Sequence, residues 1–379
     1  MKREKDTEEL LEKDVDMDAE DAQDIDEDAD DDLELLDIDN SDEEDSYQEE
    51  HKGSKFKFVH IGFGVLVVAV FVIMGIVLHK WNQGKQLEFS EDDISKQNNG
   101  YWDTEPLDFP IFFDPTRNEG YVDDGQLKVI MIGDETIGDV NDSSSLSGQL
   151  KELTGADVAT ASCQGMSYSI SDKSYTVEHP EDAFSMYYFI TCLVNNDFTL
   201  MENALDVMGE TDGGIHYDFL NWARYLDYAH ADVIILCCGR YDYLYGRDFE
   251  GYDKYSEQIF GTPNGMSGGM DGCIKMLRSN YPNAQIIVCS PSFFMTEDKK
   301  GNKIGADLCS YGKGGIGEYI VNMAGVSMDE SVTFVDNYFG IEFNSINYED
   351  YLLEDGKTAN KVANEMIAKH LEKFFYYNL

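Results

Sequence analysis

The feature that most constrains this chain is an uninterrupted apolar run at residues 58–78 (FVHIGFGVLVVAVFVIMGIVL), whose only titratable side chain is His60. At about 1.5 Å per residue, a helix of this length spans the roughly 30 Å hydrocarbon core of a bilayer. The run starts too far from the N-terminus, and is too long, for a cleaved signal peptide. Trp81 follows it and suits an interfacial anchor. The run therefore predicts a single transmembrane helix.

Lysines flank this run on both sides and bear on its orientation. Lys52, Lys55 and Lys57 precede it, whereas Lys80 and Lys85 follow it. The excess on the N-terminal side favours a cytoplasmic N-terminus. Because no later apolar run is comparably long, everything after Lys80 is expected on the other side. The sequence predicts a single-pass protein of the cell membrane with an extracytoplasmic C-terminal domain.

The segment before the run is strongly acidic. The chain carries 75 Asp and Glu against 28 Lys and Arg, a net charge of −47, and residues 1–50 alone contain 26 acidic and 4 basic side chains. Like charges repel and apolar residues are few, so residues 1–52 are predicted to be a disordered cytoplasmic arm. The arm is either a solvated tail or a docking tail for a basic protein or divalent cations. The charge excludes an ordinary nucleic-acid binder, because it repels phosphate.

Residues 80–120 connect the predicted span to the rest of the chain. Pro106, Pro110 and Pro115 interrupt any continuous helix there. They lie in an aromatic stretch, PLDFPIFFDP, whose position favours packing on the domain core and also allows contact with lipid. We predict a stalk that ends in a segment packed on the following domain.

Short apolar runs alternate with helical patterns over residues 121–379. Most of these runs are continuously apolar, as expected for strands covered on both faces of a sheet. Strand–helix alternation of this length predicts an α/β, doubly wound three-layer sandwich with a mostly parallel sheet. The predicted strands are 127–132, 158–161, 233–238, 285–290 and 332–335, and the predicted helical stretches are about 145–154, 181–208, 217–229, 267–280, 314–325 and 359–376.

Three segments of this domain, in order, resemble conserved blocks of the SGNH/GDSL hydrolase family. IGDET (132–136) after an apolar strand is similar to the first block, and ADVIILCCGRYDY (231–243) to the third. LLEDGKTANKVANEMIAKHL (352–371) is similar to the closing block, in which Asp-x-x-His leads into the last helix. The resemblance covers about residues 125–375. It implies an SGNH-like fold with a site at the carboxyl edge of the sheet.

When the family's catalytic positions are transferred to this sequence one by one, most of them are occupied by other residue types. Glu135 stands at the serine nucleophile and Thr358 at the histidine, whereas Asp355 is retained. At the oxyanion positions Gly165 is retained, but Tyr168 replaces the expected glycine and Tyr241 the asparagine. A carboxylate cannot replace a serine alkoxide, and a threonine is no general base near neutral pH. The resemblance therefore implies a chain without the usual Ser-His ester chemistry.

Four carboxylates at strand ends offer a second interpretation. Asp134, Glu135, Asp242 and Asp355 could meet in one cleft, raise one another's pKa and supply an acid and a base. They could equally hold a hard cation through their oxygens. In the simplest interpretation they only cap loops and helix starts, and we predict neither a metal site nor a cofactor.

Histidines in the long insertion between the second and third strands offer a third interpretation. His179 and His216 could form an unconventional dyad with a serine outside the usual block. The serines considered are Ser167, Ser169 and Ser290. His370, late in the last helix, is expected on its outer side.

Two functions follow as expectations. The first is a binding or accessory module at the cell envelope that holds an acylated glycan or a partner protein. The alternative is an active esterase or deacetylase-type hydrolase that uses the carboxylates or another Ser/His pair.

Overall fold

The computed structural model describes Met74 and residues 105–251, 262–298 and 300–379. The predicted acidic arm, the predicted span except Met74, and the predicted stalk up to residue 104 lie outside the described residues. Among the residues that are described, no helix has both the length and the apolar character needed to cross a bilayer.

A parallel sheet of five strands forms the centre of the described domain. The strands of the described residues are β1 (Lys128–Gly133), β2 (Asp157–Ser162), β3 (Val233–Cys237), β4 (Gln285–Cys289), β5 (Met295–Glu297), β6 (Lys303–Gly305), β7 (Ser310–Tyr311), β8 (Gly314–Gly315) and β9 (Thr333–Val335). The central sheet has the order β2-β1-β3-β4-β9, and all four neighbouring pairs are parallel. The strands β5–β6 and β7–β8 form two small antiparallel pairs. The predicted parallel α/β sheet is confirmed.

Helices cover the strands. Val129, Met131 and Ile132 of β1 are fully buried, which requires cover on both faces of the sheet. The helices of the described residues are α1 (Leu146–Thr154), α2 (Met186–Asn195), α3 (Thr199–Met208), α4 (Ile215–Ala223), α5 (Arg240–Leu244), α6 (Met266–Asn280), α7 (Ile316–Asp329) and α8 (Lys361–Glu372). Helix α1 packs against α8, while α6 packs against α2 and α7.

The predicted helical stretch 181–208 is interrupted. Asn196 ends α2 with a left-handed backbone (φ 49°), which asparagine tolerates better than most residues. Asp197 then accepts a hydrogen bond from the Thr199 amide, 3.0 Å away, and α3 begins. The prediction of one continuous stretch was wrong here because the left-handed backbone of Asn196 and the local bond of Asp197 outweigh its apolar periodicity.

Both edges of the sheet are covered by side chains or backbone from other segments. Phe109 forms an antiparallel bridge with Phe334 of β9, with two backbone hydrogen bonds of 2.9 Å. On the opposite edge, the Trp222 indole N–H of α4 donates to the Thr160 carbonyl oxygen of β2 at 2.8 Å. These contacts occupy some of the edge backbone groups that could otherwise pair with another chain.

His370 departs from its expected place on the outer side of the last helix. Its side chain is 11% exposed, and its Nε2 lies 2.9 Å from Asp108 Oδ2. The prediction was wrong because the segment around Asp108 and Phe109 lies over this part of α8, a contact that the helical pattern alone does not reveal.

Candidate functional site

The loops after β1, β2 and β3 meet at the carboxyl edge of the sheet. Gly133, the last residue of β1, lies in register with Ser162 of β2 and Cys237 of β3, so these three strands end level. The closing block reaches the same edge, because Asp134, Ser290 and Ala359 line one small cavity of about 20 Å³. The expectation that the matching blocks share one edge is therefore confirmed.

Glu135 forms the centre of the site. Its Oε1 accepts a hydrogen bond from the Tyr241 hydroxyl at 2.5 Å and lies 3.3 Å from Arg240 Nη2. Its Oε2 accepts from the Gly165 backbone N–H at 3.2 Å. Burial, and then the hydrogen bond to Glu135, raise the pKa of the Tyr241 phenol, so that Tyr241 acts as a donor. The residue at the family's nucleophile position thus binds donors from two of the oxyanion positions.

Arg240 is the functional residue that the sequence reasoning missed. Its side chain is 5% exposed, and its guanidinium carbon lies 5.3 Å from the ring centres of both Tyr241 and Phe294. Its buried Nε has no hydrogen-bond partner among the described residues. A basic residue two positions after the apolar run VIILCC, with Gly239 between them, was the signal that could have identified it, because a cation at a strand end is costly unless paired.

Asp134 caps the short turn that carries Glu135. Its carboxylate accepts from the amide and the hydroxyl of Thr136, and the residue is 2% exposed. Burial raises the pKa of Asp134 to about 6, with Arg240 opposing the rise and Glu135 adding to it. The predicted mutual effect of two carboxylates is present, but burial is the larger cause.

Asp242 is fully buried and fastens the loop after β2. It accepts hydrogen bonds from the Tyr168 amide (2.8 Å), the Ser169 amide (3.1 Å) and the Ser169 hydroxyl (2.6 Å). Burial raises its pKa. The Tyr168 side chain is itself completely buried. Neither the Asp242 carboxylate nor the Tyr168 amide points to the Glu135 cluster, which contradicts the idea of four carboxylates in one cleft.

The closing block provides a turn. Asp355 accepts from the Lys357 amide at 2.8 Å, the Thr358 amide at 2.9 Å and the Thr358 hydroxyl at 2.6 Å. Burial works to raise the pKa of Asp355, but these bonds and the charge of Arg240 lower it overall. Asp355 and Thr358 therefore bond to each other, and no base stands at the family's histidine position.

Each histidine candidate lies near a carboxylate, but only His216 is within hydrogen-bond distance of one. His179 is 43% exposed and lies 3.8 Å from Glu181. His216 Nδ1 lies 3.1 Å from Glu210 Oε1, and its ring is 4.6 Å from that of Phe184.

The serine candidates bond elsewhere. Ser167 donates to the Ser169 carbonyl oxygen at 2.7 Å, Ser169 donates to Asp242, and Ser290 lies 3.1 Å from Asp336. Within the described residues, none of these serines has a hydrogen bond to a histidine. The proposed dyads are not formed.

A cleft of about 490 Å³ opens beside Glu135. Tyr241 and Tyr245 form one wall, with ring centres 5.5 Å apart. The long insertion supplies polar groups on the other side, including Asp182 and His216. The cleft is lined by Gln164, Gly165, Met166, Ser167, Ser171, Glu181, Asp182, Phe184, Ser185, Ile215, His216, Tyr241, Tyr245 and Arg247. Gly165 and Tyr241 belong both to this lining and to the Glu135 cluster.

The described residues form no candidate metal centre. Over residues 105–251, 262–298 and 300–379, no three His, Cys, Asp or Glu side chains are grouped so that they could hold an ion. The carboxylates at the edge bind amide, hydroxyl and guanidinium donors of the chain itself.

The described domain has an SGNH/GDSL-like fold, since its parallel five-stranded sheet brings the matching blocks to one edge. No protein-family model matches the chain, and no curated protein matches it.

Among solved structures, the chain is similar to a possible lipase from Chitinophaga pinensis (16% identity, 66% of this chain and 98% of that chain, TM-score 0.42). It is also similar to a putative GDSL-like lipase from Bacteroides ovatus (11% identity, 66% of this chain and 98% of that chain, TM-score 0.37). A third similar structure is that of an acetyl xylan esterase from Butyrivibrio proteoclasticus (17% identity, 65% of this chain and 62% of that chain, TM-score 0.33). Similarity at this level assigns neither activity nor substrate to the chain.

Proposed function

We propose that this chain is a non-hydrolytic binding module with an SGNH/GDSL-like fold, which holds an acylated glycan or a partner protein at the cell envelope. The observation that carries the proposal is the position of the Glu135 carboxylate. It accepts the Gly165 N–H and the Tyr241 hydroxyl, the groups at two family positions that would stabilise the oxyanion of an ester reaction. A substrate carbonyl would have to compete with this built-in anion, and no serine–histidine pair is formed among the described residues.

The shape and lining of the cleft support a sugar-sized ligand. A volume of about 490 Å³ lies in the usual range for small-molecule sites. The Tyr241–Tyr245 wall offers ring faces, and Ser171, His216 and Arg247 offer hydrogen-bonding groups around it. Sugars present an apolar ring face and a rim of hydroxyls, which match these two kinds of surface.

The membrane location is part of the same proposal. It is supported by the apolar run 58–78 and by the lysines that precede it. In sealed cells or right-side-out vesicles, external protease should degrade residues 105–379 and leave 1–50 protected. Protection of the domain together with digestion of the arm would show the opposite orientation. Release of the chain from the membrane by carbonate washing would refute the predicted transmembrane anchor.

The hydrolytic question is decided by turnover. We expect the purified full-length chain to release no more acetate from acetylated xylo-oligosaccharides or short-chain acyl esters than a protein-free sample does. The same preparation should bind the oligosaccharides in calorimetry. Turnover well above that of the protein-free sample would refute the binding-module proposal.

One observation favours the alternative, a carboxylate-based hydrolase. A carboxyl whose pKa is about 6, as at Asp134, is suited to give and take protons near neutral pH. However, the Asp134 carboxyl is only 2% exposed, and it is engaged by Thr136 within the turn that carries Glu135. If the alternative holds, turnover should fall at least about a hundredfold in Asp134→Asn.

A further inference from the structure

Arg240 is a buried cation that its partner satisfies only in part. The Arg240 Nη2–Glu135 Oε1 distance is 3.3 Å, longer than the roughly 2.7–2.9 Å of a strong charge-assisted hydrogen bond. Its Nε is buried and has no partner among the described residues. A guanidinium favours a carboxylate that takes Nε and Nη2 together, as two parallel bonds.

Arg247, which lines the cleft, has a similar environment. Its Nη2 lies 3.5 Å from Asp182 Oδ1, and its buried Nε also lacks a described partner. Its side chain is 14% exposed. Two largely buried guanidinium groups therefore lie at this end of the sheet, Arg247 in the cleft lining and Arg240 behind Tyr241 and Glu135, and each has one long contact with a carboxylate of the chain itself.

Glu135 can leave its place more easily than Arg240. The Glu135 side chain is 34% exposed, whereas that of Arg240 is 5% exposed and lies between the rings of Tyr241 and Phe294. The buried Arg240 guanidinium is thus held in place, whereas the Glu135 carboxylate is partly accessible to solvent. The cleft lining includes Gly165 and Tyr241, so a ligand in the cleft reaches the same two donors.

We propose that Gly165 N–H, the Tyr241 hydroxyl and the Arg240 guanidinium form a carboxylate-binding site, and that the ligand of the cleft carries a carboxylate which exchanges with Glu135. This deepens, and rests on, the proposed binding function by naming the ligand class, a sugar acid of the uronate type. Glu135 then acts as an internal competitor. The apparent affinity for an external carboxylate is lowered by the fraction of molecules in which Glu135 occupies the donors.

The test removes the competitor and measures binding of small acids. Calorimetric titrations of the full-length chain with acetate and with glucuronate, at pH 7.5 and 0.15 M salt, compare the wild type with Glu135→Ala. A tethered competitor acts at an effective concentration of millimolar or more, so we expect Glu135→Ala to bind both acids at least about tenfold more tightly. Glu152→Ala, an exposed site on α1 with the same change in charge, should bind as the wild type does.

A second variant tests the donor set. Adding Tyr241→Phe to Glu135→Ala should weaken acetate binding about tenfold, because a hydroxyl donor to a charged acceptor is lost. If Glu135→Ala loses its folded far-ultraviolet spectrum, Glu135→Gln replaces it, and a gain of at least about threefold is expected because the amide carries no charge. Equal affinities in the Glu135 and Glu152 variants, or no effect of Tyr241→Phe, would overturn the site.

The ligand class is tested on the wild type. Glucuronate should bind at least about threefold more tightly than glucose, and the difference should shrink at 0.5 M salt. Equal binding of the two sugars would overturn this inference and leave the binding-module proposal intact. Conversely, ester turnover by the wild type would refute the module, while the titration of Glu135→Ala would still decide the carboxylate site.

Discussion

Substitution of Asp134 by asparagine should stabilise the folded chain, and more so as the pH rises. Asp134 is 2% exposed, and burial raises its pKa from 3.8 to about 6. The native state therefore binds a proton more tightly than the unfolded state does. Stability contributed by this group is greatest below about pH 4 and is lost as the pH rises towards 6.

The size of the effect follows from the two pKa values. The shift of about 2.2 units, at about 1.4 kcal/mol each, costs about 3 kcal/mol once the carboxyl is ionised in both states. At pH 5.0 the same linkage relation gives about 1.6 kcal/mol. Asparagine is similar in shape, keeps an oxygen for the Thr136 amide and carries no charge to bury. We therefore expect Asp134→Asn to stabilise by up to about 3 kcal/mol at pH 7.5 and by about half as much at pH 5.0.

Urea unfolding of wild type and variant, at steps from pH 5.0 to 7.5, measures this difference. The range stays above the sequence pI of about 4.2 to keep the protein soluble. Asp139→Asn is the matched control, since Asp139 makes a similar turn bond to the Asn141 amide at 2.8 Å but is exposed. A gain that is equal at both pH values, or equal in the control, would refute the argument from burial.

Three further substitutions test individual contacts. Asp242→Ala leaves the buried Tyr168 and Ser169 donors unpaired and should cost about 3 kcal/mol in urea unfolding, whereas a cost below about 1 would contradict its anchoring role. Asn360→Ala removes the side chain that caps α8 and should cost about 1 kcal/mol by the same assay; no loss would show that solvent replaces the cap. Trp222→Ala uncovers the β2 edge and should produce concentration-dependent association in light scattering; a monomer at all concentrations would contradict the covering role.

The architecture of the domain could be predicted from the sequence because the physics of its strands is local. VIILCC is continuously apolar, as is the IIVC core of QIIVCS, and that pattern indicates burial on both faces of a parallel sheet. Even the least apolar strand, around Val158–Ala161, is present as β2. The level strand ends then follow from the parallel register, which is why Glu135 and Tyr241 could be expected at one edge.

The chemistry of the site could not be predicted, because it depends on side-chain directions across distant segments. Glu135 meets Gly165 and Tyr241 from positions 30 and 106 residues away in the chain. Composition and spacing do not reveal that the Asp242 carboxylate bonds to Ser169 while the Glu135 carboxylate bonds to Gly165 and Tyr241. Arg240 escaped notice because the family pattern directs attention to its neighbour, and its pairing depends on a geometry that no local pattern encodes.

The antiparallel bridge at Phe109 determines where a trimmed version of this protein has to begin. Asp108 also accepts the Asp336 amide at 2.8 Å and contacts His370, so these residues belong to the folded body although they precede its first long strand. Proteolytic release just before residue 121 would strip β9 of that partner. The shed fragment would then carry an open ladder of amides and carbonyls, and self-assembly through that ladder is the hazard of shortening the protein there.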